Sequence, residues 1–156
     1  MGKITPWLWF DGEAEQAAHY YTSIFKNSRM GNVSRFGEGA PVPAGTVMTA
    51  EFEVDGQKFV ALNGGPEFTF SEAISFMIDC KDQDEVDRYW TALGEGGEHG
   101  PCGWLKDRFG LSWQVIPARM NELLADPDPE RASRAMQAML KMGKLIVADL
   151  EKAADG

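Results

Sequence analysis

Cysteine, histidine and basic side chains are all scarce in this sequence. Of its 156 residues two are Cys and two are His, and 15 basic side chains stand against 24 acidic ones, for a formal net charge of −9. Two cysteines cannot build a disulfide framework, so we expect a reducing, cytoplasmic setting. A surface of this sign repels a phosphate backbone, and we therefore expect no nucleic-acid partner.

Long apolar runs are absent as well. No stretch approaches the roughly 20 apolar residues that a membrane-spanning helix needs, and Met1 to Pro6 lacks the apolar stretch of a signal peptide. We therefore expect no membrane partner. Hydrophobic residues make up 44% of the chain and charged residues 25%, which is typical of a soluble protein long enough to bury one core.

Hydrophobic periodicity predicts a strand, a helix and three more strands in the first part of the chain. Residues 4–10 alternate in character as a half-buried strand does, and the apolar stripe over residues 13–25 has helical spacing. Asp55-Gly56 fits a type I′ hairpin turn, in which both central residues need positive φ. The three strands after the helix are predicted at 28–36, 46–54 and 57–63.

The second part repeats that order about 70 residues later. Its opening strand precedes Asp82 and Glu85, whose spacing resembles a capping box at a helix N-terminus. Lys106 and Asp107 are expected to fix the tight turn between the last two strands. The strands are predicted at 74–80, 102–106 and 111–117, and a glycine-rich turn at 94–100 precedes the second of them.

Helices follow the second repeat. A short helix is predicted at 120–124, and Asp128-Pro129 supplies the N-cap and first-turn proline of one long helix that continues past Gly143 to Leu150. The element order predicts an α+β fold of two βαβββ modules with a C-terminal helix. We place the modules at 1–66 and 67–118 and the tail at 119–156, within one domain.

Three segments carry a family resemblance. They are WLWFDGEAE with HYYTSIF near the N-terminus, NGGPEFTFSEA between the modules, and CGWLKDRFGLSWQVIP, the longest and most specific. Together they are similar to the PhnB-like family of the vicinal-oxygen-chelate superfamily, which includes glyoxalases, bleomycin-resistance proteins and dioxygenases. The resemblance implies that the two modules form a sheet-lined cavity, and that the chain forms a homodimer.

Enzymes of this superfamily hold a divalent metal with side chains from the first and last strands of each module. Carried over to this sequence, those positions fall at Thr5 or Pro6, at Ala61 or Asn63, at Ala73 and at Gln114. None is His, Asp, Glu or Cys, and the neutral amide of Gln114 is a weak ligand for Zn²⁺ or Fe²⁺. His19 and His99 are expected to be solvated surface side chains. We therefore predict no metal and no other cofactor.

Side-chain alternation gives each predicted strand an apolar side and a mixed side. The apolar side suits a core beneath the helices, and the mixed side suits an organic ligand. The residues predicted to bind a small molecule are Trp7, Trp9, Asn63, Ser75, Met77, Trp104 and Gln114. The Trp and Met side chains also suit a packed sheet face or a dimer interface, and Gln114 suits a hydrogen bond within the sheet.

This pattern predicts a protein that binds a small organic metabolite or antibiotic without a metal. One alternative is a metal-independent lyase or isomerase with Cys102 as nucleophile or Glu51 as base. Cys102 also suits a small buried side chain, and Glu51 a solvated strand face. Another alternative is a glyoxalase- or dioxygenase-like enzyme that holds a divalent metal with other residues. Related sequences are often labelled ubiquinone-pathway methyltransferases, but the glycine-rich turn of nucleoside-binding domains is absent here.

Overall fold

A strand, a helix and three further strands open the chain in the computed structural model, which describes residues 2–156. They are β1 (Trp7–Phe10), α1 (Ala14–Ile24), β2 (Arg29–Arg35), β3 (Val47–Val54) and β4 (Gln57–Asn63). The strands form one sheet in the order β1-β4-β3-β2, with β1 parallel to β4 and the other pairs antiparallel. This first unit ends at Thr69.

Helix α1 covers one face of the first sheet. Its buried side includes Ala17, Ala18 and Tyr21, and the small alanines let the helix approach the strands closely. Tyr21 stacks on Phe52 with ring centroids 5.9 Å apart, and Phe52 stacks on Phe59 at 5.3 Å. Helix α1 packs on this aromatic face only, and the opposite face of the sheet is not covered by it.

The second unit begins at Phe70 and repeats the same order of elements. It contains β5 (Ser75–Cys80), α2 (Gln83–Gly94), β6 (Glu98–His99), β7 (Trp104–Lys106) and β8 (Ser112–Pro117), followed by α3 (Ala118–Leu124), α4 (Pro129–Leu140) and α5 (Val147–Asp155). Its sheet has the order β5-β8-β7-β6, again with the first pair parallel. The α+β fold of two βαβββ modules is thereby confirmed. None of the helices within residues 2–156 is long and apolar enough to cross a membrane.

Two local predictions are confirmed by backbone geometry. Asp55 and Gly56 have φ values of 46° and 81°, as a type I′ turn requires. At the start of α2, the backbone N–H of Glu85 donates to the Asp82 carboxylate at 3.0 Å, and the N–H of Lys81 donates to the Glu85 carboxylate at 2.8 Å. This pair resembles a capping box, with the difference that Glu85 accepts the N–H of Lys81 and not that of the N-cap residue Asp82.

The predicted long C-terminal helix is wrong, because the chain leaves the helix after Leu140 and resumes it only at Val147. In between, the carbonyls of Met142 and Gly143 accept the backbone N–H groups of Cys102 and Gly103 at 2.7 and 2.8 Å. Those carbonyls would be occupied inside a continuous helix. Tertiary hydrogen bonds and the low helix propensity of Gly143 therefore outweigh the apolar periodicity.

The helical tail packs on its own unit. Leu145, Leu150 and Ala154 form a buried cluster with Ile116 of β8. The side chain of Gln83 on α2 ties the tail down at two points, donating to the carbonyl of Leu145 at 3.0 Å and accepting the N–H of Val147 at 2.7 Å. The tail thus covers the end of the sheet face that α2 leaves open.

Asp107 organises the turn between β7 and β8, as predicted. One carboxylate oxygen accepts the N–H groups of Phe109 and Leu111 at 2.8 and 3.1 Å, and the other accepts the indole N–H of Trp113 at 2.9 Å. Asp107 is only 2% exposed. A buried carboxylate is tolerated when it is paired in this way.

Replacing Asp107 should therefore destabilise the fold severely. Asp107→Ala leaves buried donors on Leu111 and Trp113 without this acceptor, and we expect a loss of about 3 kcal/mol in the free energy of unfolding. Urea denaturation followed by tryptophan fluorescence measures this loss. Asp11→Ala, on an exposed position, is the control and should stay within about 0.5 kcal/mol. Equal midpoints for the two variants would contradict the role given to Asp107.

Candidate functional site

The face of the first sheet that α1 does not cover carries three of the predicted site residues. Trp7 of β1 lies beside Val60 of β4, and Val60 lies beside Glu51 of β3. Trp9 occupies the next outward position on β1. Two strand spacings separate Trp7 from Glu51, about 10 Å. Trp7 is 59% exposed, so its indole is available to a ligand or to another protein surface.

Trp9 is held more firmly than Trp7. Its indole N–H donates to the carbonyl of Gly65 at 2.9 Å, and its ring meets that of Phe68 edge-on at 4.9 Å. A Cβ on Gly64 would lie 2.4 Å from the Trp9 ring, so only glycine fits there. Trp9 therefore anchors the segment that follows β4.

Asn63, which was also predicted to bind the small molecule, lies on the opposite face of this sheet. It pairs with Phe10 on the side of the sheet that α1 covers. Its amide oxygen accepts the N–H of Ala14 at 2.9 Å, and its amide nitrogen donates to the carbonyl of Val47 at 3.0 Å. Asn63 thus caps the first turn of α1 from a neighbouring strand, a role for which local sequence gives no signal.

Glu51 lines a surface depression of about 360 Å³ in the first unit. The depression is rich in charge, since Arg29, Glu53 and Lys58 also line it, and Arg29 lies 3.6 Å from Glu53. Glu51 itself is exposed. This exposed and charged setting resembles the solvated strand face considered above.

The uncovered face of the second sheet brings together the other predicted ligand-binding residues. Gln114 of β8 lies between Trp104 of β7 and Met77 of β5. Ser75 is one row away, and its hydroxyl accepts a hydrogen bond from the Gln114 amide at 2.8 Å. The strand alternation read from the sequence therefore gives the right side for all four residues.

A cavity of about 440 Å³ opens beside Trp104 in this second unit. We call it the Trp104 cavity. Its lining consists of Glu72, Glu98, His99, Gly100, Pro101, Cys102, Trp104, Leu105, Lys106 and Ser112. The volume lies within the range of about 300–1,000 Å³ that is usual for small-molecule sites.

Cys102 lines this cavity from a turn, not from the strand in which it was predicted. Its φ is 58°, a left-handed conformation that is uncommon for a residue other than glycine. The hydrogen bond from its N–H to Met142 fixes it there. The other cysteine, Cys80, is fully buried, and burial raises the pKa of its thiol to about 12, so Cys80 has little thiolate to react.

Ser112 forms part of the cavity wall and was missed as a site residue. It lies between Lys106 and Ser75 in the sheet and has no exposed surface. Its hydroxyl is the one buried side-chain N or O atom within residues 2–156 that has no hydrogen-bond partner. A buried hydroxyl without a hydrogen bond lowers the stability of the fold. In the sequence, only the position of Ser112 in the strand alternation indicated that it faces the same side as Gln114.

His99 is the second residue that was missed, having been expected as a merely solvated side chain. Although exposed, its ring stacks on Trp90 at 4.4 Å, and its Nε2 lies 2.9 Å from the Trp90 carbonyl. Because a carbonyl can only accept, Nε2 carries the proton, and in the neutral ring Nδ1 keeps its lone pair. A Cβ on Gly94 would lie 2.0 Å from Nε2, so Gly94 is needed for this approach.

The charges around the Trp104 cavity are unequal. The ammonium of Lys106 lies 3.2 Å from the carboxylate of Glu72, and this hydrogen bond is the main reason why the pKa of Glu72 is lowered. Glu98 also lines the cavity. Two carboxylates and one ammonium therefore leave the wall with an excess of negative charge.

The residues present do not fit the divalent metal of the superfamily. Among the carried positions, Ala61 and Ala73 have no donor atom, and Gln114 offers only a neutral amide oxygen, which is a weak ligand for Zn²⁺ or Fe²⁺. Within residues 2–156, no three His, Cys, Asp or Glu side chains converge as metal ligands do.

Comparisons with known proteins agree with the fold. A family model described as 3-demethylubiquinone-9 3-methyltransferase matches residues 2–116. A solved structure from Bacillus cereus, described as a putative 3-demethylubiquinone-9 3-methyltransferase, PhnB protein, is 35% identical, with a TM-score of 0.67 over 75% of this chain and 100% of its own. Protein PA1353 from Pseudomonas aeruginosa is 24% identical, with a TM-score of 0.62 over 75% of this chain and 98% of its own.

A more distant structural likeness is to a fosfomycin resistance protein. The protein FosX from Listeria monocytogenes, solved with Mn(II) and a sulfate ion, is 16% identical, with a TM-score of 0.53 over 79% of this chain and 94% of its own. At this identity the likeness concerns the fold alone. No curated protein matches the chain in sequence.

Asn63 should matter for stability and not for ligand binding. Asn63→Ala removes the cap of α1 and the bond to Val47, and we expect it to lower the free energy of unfolding by about 1–2 kcal/mol. Asn63→Asp keeps the capping oxygen and should lose less. Chemical denaturation of both variants measures this ranking, and a wild-type midpoint for Asn63→Ala would remove the capping role.

The two cysteines should differ sharply in reactivity. Because burial suppresses the Cys80 thiolate, iodoacetamide at pH 8 should modify the native protein once, at Cys102. Intact-mass spectrometry counts the adducts, with Cys102→Ala as the matched variant that should take none. Two adducts on the folded wild type, or one on Cys102→Ala, would show that Cys80 is accessible.

Proposed function

Since the chain belongs to the PhnB-like family, whose sequence model is described as 3-demethylubiquinone-9 3-methyltransferase, we propose that it binds a small organic molecule in the Trp104 cavity without a metal ion. The observation that carries the proposal is a cavity of about 440 Å³ that combines an indole wall with a buried hydroxyl lacking a partner. Binding sites for small organic molecules typically pair apolar walls with a few polar groups.

The neighbouring residues support this use of the cavity. The bond between Gln114 and Ser75 fixes two polar side chains on the same sheet face, and Met77 beside them adds an adaptable apolar contact. The tail closes the far end of that face through Ile116 and Leu145. A ligand would thus meet a preformed surface, which lowers the entropic cost of binding.

The metal-free part of the proposal depends on the chemistry of the donors. Alanine at two carried positions and a neutral amide at a third leave few ligand atoms with which to hold a divalent ion. Elemental analysis of the purified protein decides between this proposal and a metalloenzyme with other ligands. One bound metal per chain would overturn the metal-free version.

Methyl transfer is not part of the proposal, even though the family description names it. Nucleoside-type methyl donors are commonly bound at the carboxyl edge of an open parallel sheet, beside a glycine-rich turn. Here each sheet has one parallel pair and is otherwise antiparallel. This topology therefore argues against a site for a nucleoside-type methyl donor.

A second candidate function is metal-independent catalysis with Cys102 as nucleophile. The position of Cys102 in the cavity wall, with His99 and Lys106 lining the same space, favours it. Glu51, the alternative base, lies in the depression of the first unit. Once a substrate is found, full turnover by Cys102→Ala would eliminate the thiol, and full turnover by Glu51→Gln would eliminate the carboxylate.

We further propose that the chain forms a homodimer. Ile74 and Met77 of the second unit expose 68% and 55% of their surface, and Trp7 of the first unit is similarly uncovered. Exposed apolar side chains such as these are typical of the surfaces at which protein subunits meet. Sedimentation equilibrium supports the dimer if it gives twice the chain mass, and a monomer at all concentrations overturns it.

Trp104 should dominate the affinity for any ligand of this cavity. A panel of metabolites and antibiotics screened by thermal shift supplies the ligand, and calorimetry on the variants then measures its affinity. We expect Trp104→Ala to weaken binding about tenfold, as loss of a central aromatic contact does, and Trp104→Phe to weaken it less.

Trp7→Ala is the matched control for this series. It removes the same side chain from the first unit, outside the Trp104 cavity, and should leave the affinity unchanged. Unchanged affinity in Trp104→Ala combined with a loss in Trp7→Ala would assign the ligand to the first unit instead.

A further inference from the structure

We infer that the ligand of the Trp104 cavity is a small aromatic molecule without negative charge, held by a hydrogen bond to the hydroxyl of Ser112. This inference rests on the proposed function and names its ligand class and its anchor. The observation behind it is the combination, in one cavity, of a buried unpartnered hydroxyl, an indole and an excess of carboxylates.

The hydroxyl of Ser112 has no hydrogen-bond partner within the protein, so a ligand atom could supply one. Ser112 has no exposed surface, and its strand parity places it on the same sheet face as Trp104 and Gln114. The nearest hydroxyl in the sheet, that of Ser75, is engaged with Gln114. A serine hydroxyl both donates and accepts. Because no surface of Ser112 is exposed in the free protein, a ligand oxygen or nitrogen reaches this hydroxyl only after a neighbouring side chain of the wall moves, and the new hydrogen bond then relieves the cost of desolvation.

The charges of the wall select against an anion. Lys106, the lysine that lines the cavity, is already paired with Glu72 at 3.2 Å. An incoming carboxylate or phosphonate would have to break that pair and would also meet Glu98. The net charge of −9 adds an unfavourable long-range field for any anion.

Trp104 accounts for the aromatic part of the assignment. Indole faces attract other aromatic rings and cations, and an uncharged or cationic ring satisfies both Trp104 and the carboxylates. Pro101 adds apolar surface to the same wall. The favoured ligand is thus an aromatic ring that carries an amide, hydroxyl or amine group.

Three nearly isosteric probes separate charge from shape. Benzamide is neutral, benzamidine is cationic and benzoate is anionic, and NMR titration of the full-length protein follows the Trp104 indole N–H, assigned by its absence in Trp104→Phe. We expect benzamide and benzamidine to bind at least about fivefold more tightly than benzoate, because like charges oppose the anion.

Ser112→Ala tests the anchor. Loss of one hydrogen bond should weaken benzamide about fivefold. The same variant should raise the melting temperature of the free protein by about 2–4 °C, because a buried unpaired hydroxyl is removed. The control is Ser23→Ala, whose exposed hydroxyl bonds the carbonyl of Tyr20 and which should change neither quantity in this direction.

A charge variant tests the selectivity. Glu72→Gln with Glu98→Gln should raise the affinity for benzoate several-fold relative to the affinity for benzamide. Glu67→Gln with Glu95→Gln makes the same change in net charge at exposed positions outside the cavity lining, and should have little effect on either probe.

The outcomes separate the two proposals. If no probe perturbs Trp104, the ligand class is overturned, and if the metabolite and antibiotic screen also yields no ligand, the cavity function is overturned with it. If probes bind there but benzoate binds best, or if Ser112→Ala binds benzamide as wild type does, the ligand class or the anchor is overturned and the cavity function stands. Both proposals are supported if the probes bind in the expected order and if Ser112→Ala binds benzamide more weakly while melting at a higher temperature.

Discussion

Packing of α2 on one face of the sheet β5-β8-β7-β6 determines where the chemistry of the second unit can lie. Val86, Tyr89 and Leu93 of this helix are buried, as are Leu105, Trp113 and Val115 on the strands. Because strand side chains alternate, burying these three forces Trp104, Ser112 and Gln114 to the other face. The polar and aromatic groups of the Trp104 cavity are therefore a consequence of a hydrophobic contact made on the opposite side. The first unit obeys the same constraint through α1, which leaves Trp7 and Glu51 outward.

Much of the fold could be predicted because its signals are local. The turn at Asp55-Gly56 and the capping arrangement at Asp82 depend on residues within a few positions of each other, and both are present. The short strand at Glu98 and the break after Leu140 depend instead on distant partners. The strand pairs with β7, and the break is stabilised by hydrogen bonds to Cys102 and Gly103. Apolar periodicity contains no information about such bonds, so it favoured one long helix.

The candidate site divides along the same line. Alternation correctly placed Ser75, Met77, Trp104 and Gln114 on one face of the sheet. Once the face of one residue in a strand is known, alternation gives the face of every other residue in that strand. Asn63 was predicted as a ligand contact because it matches a ligand position of the family, and in the structure its side chain caps α1 instead. The isolation of the Ser112 hydroxyl and the docking of His99 on Trp90 depend on which atoms meet in three dimensions. No pattern in a single sequence reports such meetings.

The hydrogen bonds from Cys102 and Gly103 to the segment between α4 and α5 join the cavity wall to the end of the chain. Chain termini are commonly the first parts of a protein to open. A molecule that rests against Cys102 therefore shares a thermodynamic cycle with the docking of the tail. If the bound molecule stabilises the docked tail by a given factor, the docked tail strengthens binding of that molecule by the same factor. By this linkage, filling the cavity also lowers the fraction of molecules with an undocked tail, and so protects the C-terminal segment from proteases.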